Sequence, residues 1–130
     1  MADDDPLDGG DDPAHPITGT PYMLAAARAS VPPTRLSELL TAAQTFLADR
    51  RDRYERQYEQ PLATDDYETY LVDEGHWADV GERLDWRRRD HEAVARAHRQ
   101  QLLHAGKTAD RHAEFETALD LREAVVIGQE

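Results

Sequence analysis

Asp79 to Gly106 reads DVGERLDWRRRDHEAVARAHRQQLLHAG, a long run without a proline. Asp79, Val80, Gly81 and Glu82 have the spacing of a capping box with aspartate at the cap. From there a helix can continue to His104, with Gly106 as its terminator. On a helical wheel Val80, Leu84, Arg87, His91, Val94, Ala95, His98, Leu102 and Ala105 share one stripe about 100° wide. A helix with a single buried face needs other helices to cover it, so the expected class is mainly α.

Downstream, Thr108 caps a last helix after a loop of about three residues, which makes an antiparallel helical hairpin. Folding the chain about Gly106 and Lys107 sets Leu102 opposite Arg111, His98 opposite Phe115, Val94 opposite Leu119 and His91 opposite Arg122. The final AVVIG carries the alternative of a short strand.

Upstream, Thr34 follows two prolines and opens RLSELLTAAQTFLADRRDRYERQYEQ, with Leu36, Leu40, Ala43, Leu47, Arg50 and Tyr54 at alternating spacings of four and three. Pro61 stops this helix. The next stretch, PLATDDYETYLVDEGHW, predicts a short helix capped by Thr64 and ended by Gly75, with a strand through YETYLV as the competing reading. The expected architecture is a small helical bundle over 34–130, with 17–33 as an arm or short docking helix. Residues 1–16, MADDDPLDGGDDPAHP, predict a disordered acidic tail, because six aspartates, three prolines and two glycines leave little apolar surface to offset ordering.

Composition speaks to medium more than to chemistry. Acidic residues outnumber basic ones 27 to 15, Lys107 is the single lysine, and asparagine and cysteine are absent. Such a composition resembles that of cytoplasmic proteins of extremely halophilic archaea, a class of surface and not a family. Carboxylates retain water where molar salt promotes association, and arginine suits ion pairs better than lysine. Nucleic-acid binding by counterion release weakens steeply with salt and is disfavoured. No apolar run approaches the ~20 residues of a membrane span, and the first residues are acidic where a secretory signal is basic and then apolar, so a cytoplasmic location is expected. Without cysteine, disulfides and thiolate chemistry are excluded.

Few constellations could carry chemistry. His91 and His98 lie on the inward stripe, and His112 and Glu116 sit four apart on the last helix. A divalent metal between the last two helices would draw on these four, although His91 and His98 are ~10.5 Å apart along the axis and cannot share an ion directly. Packed, hydrogen-bonded histidines are the plainer expectation. Asp73 with His76 is a weaker pairing. Neither Ser30 nor Ser37 lies in a Gly-x-Ser-x-Gly elbow, and the Ala-Gly-Lys-Thr at 105–108 lacks the strand and first glycine of a phosphate loop.

Tyr54 and Tyr58 extend the long helix's stripe into charged text, and aromatics beside arginines are favoured at interfaces. The arginines of Trp86–His91, WRRRDH, spread over 200° of helix and cannot grip one phosphate together. Arg87, on the inward side, is expected to cap the carbonyls of the last helix near Val125 and Val126. Two functions from different classes follow. One is a protein interaction or assembly module working in high salt, pairing with itself or with another protein. The other is a small metal-dependent or histidine-based enzyme.

Overall fold

The computed structural model describes residues 15–129. The acidic tail expected over 1–16 therefore lies outside the described residues, except for its last two, His15 and Pro16. Six helices and two strands follow in order: α1 Gly19–Arg28, α2 Pro33–Ala48, α3 Arg51–Gln57, β1 Tyr67–Asp73, α4 His76–Arg83, α5 Arg88–Thr108, α6 His112–Ala118 and β2 Arg122–Gly128. The chain is mainly helical, but it also holds a two-stranded antiparallel sheet. None of the described helices is long and apolar enough to cross a membrane.

The run from Asp79 is two helices, not one. Leu84 ends α4, Asp85 turns left-handed with φ 60°, and the Trp86 N–H reaches back to the Gly81 carbonyl at 2.7 Å. This is the hydrogen-bond pattern that stops helices at a left-handed residue, here with aspartate where glycine is usual. The next helix restarts because the Asp90 carboxylate accepts the Arg87 backbone N–H at 3.1 Å. The second stop is built the same way: Asp110 has φ 59°, and the Arg111 N–H donates to the Gly106 carbonyl at 2.7 Å. Gly106, expected as the terminator, lies inside α5, where a Cβ would come within 2.7 Å of the Phe115 ring. It is glycine so that α6 can fold back closely onto α5.

That return helix has only seven residues. Beyond it 122–128 is strand, pairing with 67–73 from Tyr67 opposite Gly128 to Asp73 opposite Arg122. The helix expected after Thr64 is thus corrected to β1, the competing reading of YETYLV. Thr69, Tyr70, Leu71 and Val72 form an unbroken buried run, with Tyr67 buried beyond the half-buried Glu68, which suits a strand covered on both faces.

The other long helix breaks as well, at Asp49 and Arg50, and it starts from Pro32 and Pro33 with no side-chain cap from Thr34. Residues 17–33 hold a docked helix: α1 packs on α5, and the Arg96 guanidinium donates to its last carbonyl, that of Arg28, at 3.1 Å.

Helix α5 is the axis of the molecule, touched by α1, α2, α4, α6 and β2. Its inward residues Ala93, Val94, Ala97, His98 and Leu102 are buried together with Trp77, Tyr70 and Ile127. Both edges of the sheet are closed. On the β2 side, His98 Nδ1 accepts the Val126 N–H at 2.9 Å, and the Gln44 amide bonds the Val126 carbonyl and the Gly128 N–H at 2.7 and 2.9 Å. The Trp77 indole N–H donates to the Ala124 carbonyl at 2.9 Å. On the β1 side, the Leu62 and Glu59 carbonyls accept from Thr69 and Leu71. Glu123 of β2 in turn receives the Trp77 N–H at 2.9 Å, which ties the N-terminal turn of α4 to the sheet.

Candidate functional site

The four side chains singled out for a metal do not come together. His98 is fully buried in the core, His91 is half-buried where α4 crosses α5, with its Cβ 3.0 Å from the position a Cβ on Gly81 would take, His112 is half-buried at the start of α6, and Glu116 is exposed. Among the described residues no group of three or more histidines and carboxylates is placed to hold a metal ion. The physical reason is direction: His98 turns to the Val126 N–H of β2, His91 packs against Gly81 of α4, and Glu116 is exposed.

His98 has instead become part of the scaffold. Burial pushes its imidazole down to about 3, with His76 and His15 adding to the effect, so the ring is neutral and free to accept from Val126. Its Nε2 has no hydrogen-bond partner, and the ring lies against Trp77 with centroids 4.5 Å apart.

Tyr54, expected at an interface, is only 4 % exposed. The break after Ala48 swings α3 so that this ring turns inward, against Tyr58, Tyr70 and His76 at centroid distances of 5.4, 5.8 and 5.5 Å. Tyr58 stays half-buried beside it. Burial pushes the Tyr54 hydroxyl up to about 12, with Tyr58 adding to the rise and the arginines at 50, 53 and 83 opposing it. Its oxygen lies 2.5 Å from His76 Nε2. His76 is itself pushed down to about 4 by burial, against the pull of Asp79 and Asp73. Sequence reasoning missed this pair, because nothing local places residue 54 beside residue 76.

Arg87 is corrected too. Its side chain is exposed at the start of α5, and the 122–128 segment it was to cap is a strand. Helix ends are capped by other arginines: Arg99 donates to the Leu119 carbonyl at the end of α6 at 3.0 Å, and Arg50 to the Phe46 carbonyl near the end of α2 at 2.8 Å.

The surface that stands out is the outer face of α1. Met23 is 68 % exposed and Leu24 45 %, and Thr20 and Ala27 continue the same exposed row at helical spacing. The inner face, Pro21 and Ala25, is buried. No charged residue occurs between Ile17 and Ala27.

A family described as "Domain of unknown function (DUF8048)" has a model that matches residues 15–129. No curated protein and no solved structure matches the chain. The match runs from the packed His15 to the end of β2 and takes in every helix and strand described above: the chain belongs to the DUF8048 family.

Proposed function

We propose that this chain is an assembly module that pairs with a second copy of itself through the outer face of α1, in a salt-rich cytoplasm. The observation that carries the reading is the exposure of Met23 and Leu24 on a helix without a charge before Arg28. Across the whole chain 32 % of the residues are charged, and a helix that is apolar all round is ordinarily covered on both sides. The formal net charge of −12 argues for the identity of the partner. Two copies of so acidic a chain repel wherever their charged surfaces meet, and an uncharged stripe brings them together without that cost. A twofold axis across α1 sets the stripe against itself, which is the self-complementary contact of most dimers. Molar salt shortens the Debye length to ~3 Å and so removes the remaining repulsion.

Sedimentation equilibrium in molar potassium chloride tests the reading. A dimer is expected for the parent chain, and a monomer of unchanged helical content for the M23E/L24E variant. A parent chain that remains monomeric at every concentration reached overturns self-association.

A further inference from the structure

At the corner between α2 and α3, facing α4, lies a cleft of about 170 Å³. Arg50, Arg53, Tyr54, Tyr58, His76 and Arg83 line it, so three arginines from two parts of the chain border one space. Among the described residues six ion pairs join arginine to carboxylate, and none of them involves Arg50, Arg53 or Arg83. Asp79 also lines the cleft, and it forms no ion pair with any of the three. What marks this cleft is that three arginines share it with the half-buried Tyr58 and His76.

The walls act most on Arg50, since Arg53 and Arg83 are exposed. Arg50 is fixed by its bond to the Phe46 carbonyl and lies 3.7 Å above the Phe46 ring, while Tyr54 and Val80 are buried. Charges held against apolar walls are screened less than those in open water. The Tyr54 hydroxyl and His76 Nε2 share a hydrogen bond at 2.5 Å, which leaves the second ring nitrogen, Nδ1, outside that pair. That nitrogen is buried and has no partner. Guanidiniums without a paired carboxylate lack a negative group rich in acceptor oxygens.

We infer that this cleft binds a small oxyanion, a phosphate or carboxylate group, held by Arg50, Arg53 and Arg83 with the Tyr58 hydroxyl at its side. The volume is several times the ~30 Å³ that one water takes up in the liquid, enough for a tetrahedral or planar oxyanion. Guanidinium forks match both shapes through paired N–H donors. This site uses none of the α1 residues, so it stands or falls separately from self-association.

The test is calorimetry with three probes, inorganic phosphate, phenyl phosphate and acetate, in molar potassium chloride and again at low salt, with the His76 ring followed by NMR. Saturable binding of at least one probe is expected, together with an upward shift in the pH at which His76 titrates, because a nearby negative charge favours the imidazolium. Phenyl phosphate binding tightest identifies a phosphate carried on a small organic molecule; equal binding of the two phosphates identifies the free ion; acetate binding tightest identifies a carboxylate. The R53Q/R83Q variant, altered at two exposed positions, is expected to fold normally and to bind at least about tenfold more weakly. R89Q, remote from this cleft, keeps full affinity. Failure of all three probes to saturate, or undiminished binding by R53Q/R83Q, overturns the inference.

Discussion

His98 Nδ1 and the Val126 backbone N–H meet at 2.9 Å in the middle of the core, so a side chain of α5 occupies the place a third strand would take beside β2. Replacing it by leucine keeps most of the volume and strands the N–H. His98→Leu is expected to lose about 1–3 kcal/mol of stability, the cost of a buried donor without an acceptor. Urea unfolding at neutral pH measures the loss, and an unchanged midpoint would show that the hydrogen bond contributes nothing.

Acid is expected to destabilise this protein well before its carboxylates titrate. His98 and His76 are neutral in the fold, held near 3 and 4 by burial, and both take up protons once unfolded at any pH below about 6.5. Their contribution is therefore complete above pH 6.5 and declines as the pH falls toward 4 for His76 and 3 for His98. Denaturant midpoints taken in steps from about pH 7 to about pH 4 should fall, and the fall should be shallower in His98→Gln. Parallel slopes in the two proteins would refute the assignment.

Gly106 and Phe115 test how closely α6 lies on α5. Alanine at 106 favours a helix by about 1 kcal/mol, but its methyl would sit 2.7 Å from the ring and 3.2 Å from the His112 Cα. The backbone neighbour cannot move aside, so Gly106→Ala is expected to be a net loss of about 1–2 kcal/mol. Phe115→Leu in the same chain should recover part of it, read as coupling in a double-mutant cycle.

Asp85 and Asp110 are the non-glycine residues with positive φ among the described ones. Glycine at either place removes the strain of a left-handed side chain and is expected to stabilise by about 0.5–1 kcal/mol, whereas valine should destabilise by more. Thermal unfolding of the four single variants separates the two directions. Destabilisation by glycine at both sites would mean that the aspartate side chains matter more than the backbone does.

Self-association and oxyanion binding should respond to salt in opposite senses. Adding potassium chloride is expected to tighten the α1 contact, because it screens the −12 charge of each copy. The same addition weakens phosphate binding through screening and chloride competition. One salt series followed by light scattering and calorimetry reads both, and a dimer that dissociates as salt rises would count against an uncharged interface.

What the sequence made legible was mostly what adjacent residues decide. The helix after the double proline and the long helix through His91 to Leu102 follow from spacing and from proline, whereas 17–33 reads equally as an arm or a short docking helix. The helix ends did not, because the stops at Asp85 and Asp110 depend on aspartate in a backbone conformation that glycine usually takes, and Gly106 reads as the terminator instead. The sheet was legible only as a second choice at each end. Tyr67–Asp73 becomes a strand by pairing with Arg122–Gly128, more than forty residues away, and local pattern has no view of that distance. The candidate cleft was hidden for the same reason. Tyr54 reads as the outer end of a helix until the break at Asp49 and Arg50 turns it toward His76.

The closed edges of the sheet also say how this protein avoids association it does not need. A two-stranded ribbon normally offers each outer edge as a template onto which another chain can add a strand, the first step toward fibres. Here His98, Gln44 and Trp77 occupy the bonding groups of β2, and the 59–63 segment covers β1. In concentrated salt, where apolar surfaces are driven together, protection by charge is screened away. Protection by side chains already seated in the hydrogen-bonding positions is not, and it leaves strand addition closed at any ionic strength.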